Sequence, residues 1–194
     1  MRELIKMVIV LTILSAASGG LLAAIKNGTV EDIEYQQLKF LKAPAVKQIF
    51  QGVENDPITD KFKIEDGGKE ITFFPGVFGG EKNSVCFETF GKGYGGDIGL
   101  MVGVNLENDT IKGVRVTTHA ETPGLGSKAK DSPDLVEQFS NLPIESTFKV
   151  KGAGGQIDAL TGATVTSAAV CSAATEAGKL YANMKDQIKA SVSN

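Results

Sequence analysis

The stretch from Ile98 to Thr118, IGLMVGVNLENDTIKGVRVTT, decides the class of fold. Two runs rich in β-branched residues, 98–106 and 111–118, flank the segment Glu107-Asn108-Asp109-Thr110, whose residue types are typical of tight turns. Because the connection is this short, the two runs are predicted to pair as antiparallel strands. The sequence on either side adds strands and helices to this pair.

Upstream, strand-like runs cover 58–64 and 69–74, separated by Glu65-Asp66-Gly67-Gly68, which is a hairpin signature. A further strand is predicted over 84–90 and a short last strand over 148–150.

Downstream, two helices are predicted. A short one covers Ser132–Asn141, with Ser132 as the cap and Pro133 in the first helical position. A long one runs from Thr164 to about Ala190, with an apolar stripe formed by Val170, Ala174, Leu180, Met184 and Ile188. The predicted fold class is therefore α+β, with a mainly antiparallel sheet and a long C-terminal helix.

The N-terminal segment Leu4–Ile25 is apolar over 22 positions with one charged residue, Lys6. As a helix it is about 33 Å long, which matches the roughly 30 Å hydrocarbon core of a bilayer. A cleaved signal peptide is the alternative, since small residues occupy 15–20, but the apolar run continues past them through Leu21–Ile25 and favours a retained anchor. Arg2 and Lys6 precede the span, which places the following domain outside the inner membrane, although Lys26 opposes this.

A helical stalk is predicted between the anchor and the domain. Residues 31–51 have helical spacing that is interrupted at Ala43-Pro44. We expect three parts: 1–26 as the cytoplasmic N-terminus and transmembrane anchor, 27–56 as stalk, and 57–194 as one compact domain.

Composition excludes several functions. The chain has 194 residues, with 20 Lys and Arg against 23 Asp and Glu, and three of the basic residues lie within the first 26. An acidic body without a basic tract is a poor binder of nucleic acid. Cys86 and Cys171 are too few and too far apart for a zinc or iron–sulfur site, and the spacing does not decide between buried thiols and a disulfide.

Familiar catalytic motifs are absent from the sequence. Residues 91–96, GKGYGG, satisfy G-x-G-x-x-G, but a strand and not a helix follows them, so a turn between strands is predicted. His119 is the single histidine, which leaves an ordinary strand-end role and a site role equally open. Without an acid–base pair, we expect no independent catalytic activity.

The strongest functional signal is residues 158–167, DALTGATVTS, between a glycine-rich loop and the C-terminal helix. A helix N-terminus offers free backbone N–H groups and a positive dipole end, and small residues let a phosphate approach. Thr164, Thr166 and Ser167 lie at that end, and Lys151 is close enough along the chain to reach the same charge. The plainer interpretation is an ordinary hydroxyl-capped helix.

The string Asp-x-x-Thr-Gly-Ala-Thr resembles the flavinylation motif of membrane-anchored flavin proteins. In that motif a separate flavin transferase, with FAD as donor, esterifies the final threonine to the phosphate of FMN. The resemblance implies covalent FMN at Thr164, with Thr166 as a much weaker candidate. It also implies that the cofactor site includes Asp158, Thr161, Gly162, Ala163, Val165, Thr166 and Lys151.

Residues 119–126, HAETPGLG, are similar to the flavin-contacting loop of the same family. This FMN-binding domain is shared by the G subunit of the Rnf complex and the C subunit of the sodium-translocating NADH:quinone oxidoreductase. The resemblance implies flavin contacts from Glu121, Thr122, Leu125 and Gly126. Since the chain contains no Trp, stacking on the ring falls to Tyr94, a Phe or an aliphatic side chain, and the 93–96 turn is expected near the ring.

The resemblance implies an electron-transfer subunit of a membrane complex that couples electron transfer between ferredoxin and NAD to ion movement. The short outer domain favours the Rnf G subunit over the generally longer C subunit. Its partners would be the other membrane and redox subunits and the flavin transferase. A stand-alone membrane-anchored flavoprotein reductase, the C subunit and a non-redox scaffold domain are the alternatives.

Overall fold

The N-terminal part of the chain is helical. A computed structural model describes residues 1–193, and in it α1 spans Arg2–Gln37, a π-helical turn spans Leu38–Lys42 and α2 spans Ala43–Ile49. The predicted interruption near Ala43-Pro44 is present, in the turn before the proline. Pro44 has no N–H to offer the preceding turn, which loosens the ladder there.

Helix α1 is long and apolar enough to cross a membrane, judged by its length and composition. The chain divides into two compact units, Met1–Phe40 and a second unit from Leu41 onward. Within α1 no described residue is buried. The expectation of a long apolar N-terminal helix is confirmed.

The second unit contains a five-stranded antiparallel sheet in which each strand pairs with the next along the chain. The strands are β1 (Phe62–Asp66), β2 (Lys69–Phe78), β3 (Glu81–Lys92), β4 (Asp97–Asn105) and β5 (Thr110–Val116). Both predicted hairpins are confirmed. Gly67 and Gly68, with φ of 57° and 82°, form the first turn, and Asp109, with φ of 54°, lies in the turn between β4 and β5.

One face of the sheet is covered by the long helix α5 (Thr164–Ser193). Val85 and Phe87 of β3 belong to this core, together with Val170 and Ala174 of α5. At Gly91 a Cβ atom would lie 2.0 Å from the carbonyl oxygen of Ala169, so backbone meets backbone there. This close approach fixes the first turns of α5 against the end of β3.

The opposite face is covered by α2. Cys86 lies between Val85 and Phe87 in β3, so its side chain points to this second face. A Cβ atom at Gly103 would lie 2.3 Å from Ile49 of α2 and 3.1 Å from the Cys86 sulfur. The sheet is therefore packed on both sides.

The connection from β5 to α5 is mostly irregular. It contains α3 (Lys128–Asp131), α4 (Pro133–Val136) and two 3₁₀ turns, Glu137–Phe139 and Lys151–Ala153. The helix predicted over Ser132–Asn141 is thus a short α-helix plus a 3₁₀ turn. It begins at Pro133 as expected, but the Ser132 side chain makes no capping hydrogen bond.

Two local predictions are wrong. Residues 58–61 form turns and not a strand, because the Asp56 carboxylate accepts the Ile58 N–H at 3.2 Å and the Thr59 hydroxyl at 2.7 Å. Residues 148–150 form a single bridge, Val150 with Ile157, since the Phe148 N–H bonds to the Thr175 hydroxyl of α5 at 2.9 Å.

The apolar stripe predicted for α5 packs on the core, Leu180 included, and the structure adds Tyr181 to it. Leu180 is only half-buried, whereas the neighbouring Tyr181 is fully buried. The phenol can occupy the core because its hydroxyl has a polar partner, donating to Asp109 at 2.6 Å.

Candidate functional site

A cavity of about 580 Å³ lies at the start of α5. Three segments form it: the 93–96 turn between β3 and β4, the loop 119–126 after β5, and residues 162–166 at the entry of the helix. The lining residues are Tyr94, Glu121, Thr122, Leu125, Gly126, Gly162, Ala163, Thr164, Val165 and Thr166. Segments that are far apart in sequence therefore meet at this cavity. Its volume is within the range of cavities that bind small molecules.

The entry of α5 presents free backbone N–H groups. The first helical hydrogen bond is donated by the Ser167 N–H to the carbonyl of Ala163, at 2.9 Å. The N–H groups of residues 164–166 precede it and have no acceptor within the helix. Gly162 turns the chain into the helix with φ of 78°, a conformation that glycine adopts without strain.

The three hydroxyl side chains of the first turn differ in accessibility. Thr166 is 2% exposed and donates its hydroxyl hydrogen to the Glu121 carboxylate. Ser167 is fully buried, donating to the Ala163 carbonyl and accepting the Leu160 N–H, each at 3.0 Å. Thr164 is exposed. Of these three hydroxyls, it is the one that a group arriving from outside can reach.

Glu121 joins all three cavity-forming segments. Its side chain is buried, with Oε1 accepting the Gly95 N–H at 2.8 Å and Oε2 accepting the Thr166 hydroxyl. Burial works against ionisation, but the hydrogen bonds from Thr166 and from the backbone of Gly95 and Tyr94 outweigh it and hold the pKa of Glu121 below its ordinary value. The carboxylate is thus charged at neutral pH.

Two glycines are required by the packing around this carboxylate. A Cβ atom at Gly93 would lie 2.5 Å from Glu121 Oε1, and one at Gly126 would lie 2.7 Å from both Glu121 Oε2 and Thr166 Oγ1. Gly93 also donates its N–H to the Gly96 carbonyl at 2.8 Å, closing the turn between β3 and β4. The glycine-rich motif is therefore a strand-to-strand turn, as predicted.

The mouth of the cavity is apolar. Tyr94, Leu125 and Val165 are 80%, 48% and 53% exposed, although each also lines the cavity. Exposed large apolar side chains concentrated around one opening are typical of a ligand or partner site. The arrangement offers an aromatic and two aliphatic surfaces beside an exposed hydroxyl.

Three residues implied by the resemblance lie outside the lining. Lys151 forms an ion pair with Asp158, Nζ to Oδ2 at 2.7 Å, and Thr161 is exposed just before Gly162. The Asp158 N–H is bound by the Gln138 side chain at 2.7 Å. Lys151 is therefore engaged by Asp158, and Gln138, which no sequence pattern indicated, supports the same loop.

The imidazole of His119 has a local backbone role. Its Nδ1 accepts the Glu121 N–H at 3.3 Å. This contact helps to shape the loop that carries Glu121, and His119 is not among the lining residues. No group of three or more potential metal ligands was found among residues 1–193.

Comparison with known proteins agrees with these features. Residues 93–179, which include the cavity-forming turn, the 119–126 loop and the first half of α5, match a family described as FMN-binding domain. The chain is 33% identical over 174 residues to the G subunit of the ion-translocating oxidoreductase complex of Methanosarcina acetivorans, covering 89% of this chain and 91% of that one. It is 32% identical over 190 residues to the protein of the same name from Vibrio cholerae, covering 92% and 90%.

Solved structures show the same fold. The C subunit of the Na⁺-translocating NADH-quinone reductase of Parabacteroides distasonis superimposes with a TM-score of 0.52 at 22% identity, covering 70% of this chain and 72% of that one. The corresponding protein of Shewanella oneidensis gives 0.53 at 23% identity, covering 71% and 72%.

The fold and the matched segment define an FMN-binding domain preceded by an apolar helix. The chain belongs to the family of ion-translocating oxidoreductase complex G subunits. Its N-terminal helix and this membership together indicate a membrane-anchored protein.

Proposed function

We propose that this chain is the electron-transfer subunit of a membrane-bound ion-translocating ferredoxin:NAD oxidoreductase complex of the Rnf type, carrying FMN bound covalently to Thr164. The observation that carries the proposal is the exposed hydroxyl of Thr164 in the first turn of α5, at the edge of the cavity. The family membership supports the complex, and the geometry of Thr164 supports the attachment point.

The cavity fits both parts of FMN. The free N–H groups of residues 164–166 and the positive end of a 30-residue helix suit a phosphodiester, which retains one negative charge. Leu125, Val165 and Tyr94 offer apolar contact to a planar ring, and Gly126 keeps the wall free of a side chain. We expect Thr122, Gly162 and Ala163 to line the site around the phosphate and ring.

Attachment requires a second protein. The Thr164 Oγ forms a bond to the phosphorus of the FMN half of FAD, the phosphoanhydride bond breaks, and AMP leaves. The hydroxyl proton must pass to a base, and Glu121, the carboxylate among the described lining residues, already accepts hydrogen bonds from Thr166 and Gly95. The base is therefore assigned to a flavin transferase, and this chain contributes the accessible hydroxyl.

Once bound, FMN supplies reversible electron transfer. The residues of the chain hold it: the cavity wall orients the ring, the apolar mouth limits water, and the tether prevents loss of the cofactor. The sequence offers no acid–base pair, so catalysis by the isolated subunit is not proposed.

Helix α1 anchors the domain next to its partners. Arg2 and Lys6 precede the apolar span, and the excess of positive charge on the cytoplasmic side of such helices supports a domain on the outer face of the inner membrane. The other membrane and redox subunits of the complex are then the partners with which the flavin exchanges electrons.

The test is co-expression of the full chain with a flavin transferase, followed by intact-mass measurement and peptide mapping. We expect an added mass of FMN less one water, located on Thr164 and absent from Thr164→Ala. Ser172→Ala, which removes an exposed hydroxyl on the same helix, should keep the flavin. A Thr164→Ala chain that still carries the covalent flavin contradicts the assignment.

A stand-alone anchored reductase remains the second candidate, since the same domain would serve it. Purification from the native membrane separates the two. Co-purification of stable redox subunits supports the complex, and a flavinylated chain without them supports the reductase.

A further inference from the structure

The wall of the cavity contains a single charge. Of the ten lining residues in the described chain, Glu121 is the one that is charged at neutral pH. It is 6% exposed, and neither Lys nor Arg forms an ion pair with it within residues 1–193. Its partners are the Thr166 hydroxyl and the backbone N–H groups of Gly95 and Tyr94.

Glu88, a second carboxylate that is largely buried, differs from Glu121 in its partners. Glu88 also accepts a threonine hydroxyl, from Thr117, but its other oxygen is paired with Lys42 at 2.9 Å. Its charge is therefore compensated, and it does not line the cavity. The charge of Glu88 is thus neutralised by a lysine and lies away from the cavity, whereas the charge of Glu121 has no such partner among the described residues and lies in the cavity wall.

We infer that the carboxylate of Glu121 lowers the reduction potential of the flavin, an inference that rests on the proposed function. During reduction, electrons pass from a redox partner to the ring, and each electron that is not followed by a proton adds a negative charge to the cavity. A fixed carboxylate that is itself shielded from water, as Glu121 is at 6% exposure, disfavours that charge. Glu121 is thus a residue that tunes the cofactor through its charge, as well as one that holds the cavity together.

The structural role and the electrostatic role are separable. Glu121→Gln keeps the size of the side chain and removes the charge, whereas Glu121→Asp keeps the charge and shortens the side chain. Glu88→Gln removes a similarly hydrogen-bonded carboxylate away from the cavity and is the matched control. Thr122→Asp, at an exposed lining position, adds a charge to the same wall.

The experiment is a spectroscopic redox titration of the flavinylated full chain in detergent, with dithionite as reductant and mediator dyes. We expect Glu121→Gln to shift the reduction equilibrium at least tenfold toward the reduced flavin, which is about 59 mV for a one-electron couple. Glu121→Asp and Glu88→Gln should stay within a few-fold of the unmodified chain, and Thr122→Asp should shift the equilibrium toward the oxidised flavin.

Equal potentials for Glu121→Gln and the unmodified chain would overturn the inference, as would equal shifts for Glu121→Gln and Glu121→Asp. If Glu121→Gln fails to take up flavin, the Thr122→Asp chain provides the test. The inference requires its flavin to have a lower reduction potential than the flavin of Thr122→Asn. Mass measurement keeps the two proposals apart. If the chain of the original sequence carries no covalent flavin, the proposed function is contradicted. If Glu121→Gln carries the flavin and its reduction potential is unchanged, only the role of Glu121 is contradicted.

Discussion

Thr166 and Glu121 are 45 residues apart in sequence, and their side chains are joined by a buried hydrogen bond that ties the first turn of α5 to the loop after β5. This bond removes one of two neighbouring threonine hydroxyls from solvent and leaves the other, that of Thr164, exposed. The attachment proposed at Thr164 agrees with this difference in exposure. The contribution of the buried Thr166–Glu121 hydrogen bond can be tested through stability.

Replacing Thr166 with Val should destabilise the domain by about 2 kcal/mol at pH 7, because a buried carboxylate oxygen loses its donor. The pKa of Glu121 lies below its ordinary value, so the bond stabilises the fold fully above the pKa of an unfolded glutamate. This stabilisation is lost as the pH falls through the folded pKa. The difference in unfolding free energy between the two chains should thus shrink as the pH falls through the folded pKa of Glu121.

Denaturant unfolding of the full chain in detergent, followed by near-ultraviolet circular dichroism, measures this difference. Thr166→Ser keeps the hydroxyl and should recover most of the loss. Flavin should remain on Thr164 in both variants. A Thr166→Val chain that unfolds with the same free energy as the unmodified chain at pH 7 would show that the hydrogen bond does not stabilise the fold.

Gly126→Ala should disrupt the cavity, since the new Cβ would lie 2.7 Å from atoms of both Glu121 and Thr166. Overpacking of this kind costs about 1–3 kcal/mol. We expect a lower melting temperature and reduced incorporation of flavin by the transferase. Gly152→Ala, with no atom within 4 Å of the added group, is the control and should behave as the unmodified chain in both measurements.

Much of this architecture follows from local sequence. The two hairpins are set by Gly67-Gly68 and by the polar turn at Asp109, and α5 begins at Thr164 as its apolar spacing indicates. These features depend on neighbouring residues, which a sequence displays directly.

Contacts between segments that are distant in sequence could not be predicted from it. The burial of Tyr181 depends on Asp109, which is 72 residues away in sequence. Likewise, the pairing of Glu121 with Thr166 and Gly95 has no signal in the spacing of these residues. The motif resemblance named Glu121 as a flavin contact, and the structure adds that both its oxygens already have partners.

Asp109 links the β4–β5 turn to α5, accepting the Tyr181 hydroxyl and the Lys185 ammonium, each at 2.6 Å. Burial acts to raise its pKa, but the hydrogen bonds from Lys185 and Tyr181 prevail and the pKa of Asp109 lies below its usual value. The contacts of ionised Asp109 therefore stabilise the fold above the pKa of an unfolded aspartate. This stabilisation disappears as the pH falls through the pKa of Asp109 in the folded chain.

Asp109→Asn should accordingly lower stability at pH 7, and its difference from the unmodified chain should disappear as the pH falls through the folded pKa of Asp109. Asparagine tolerates the left-handed backbone at this position, so the turn itself should persist. Tyr181→Phe should cost about 2 kcal/mol at pH 7, because a hydrogen bond to a charged group is lost. Melting curves recorded across this pH range measure both effects, and a constant difference for Asp109→Asn would contradict the assignment to its charge.

Cys86 and Cys171 should remain unreacted thiols in the folded chain. Both are buried and free, and they lie on opposite faces of the sheet, Cys86 toward α2 and Cys171 in the core beneath α5. Burial raises the pKa of Cys86 well above its ordinary value and that of Cys171 to about 11, so little thiolate exists at neutral pH.

Iodoacetamide at pH 7 should leave both thiols of the native chain unmodified. After denaturation without reductant, it should add two groups. A requirement for reductant before alkylation would reveal a disulfide, which this placement of the two sulfurs on either side of the sheet excludes.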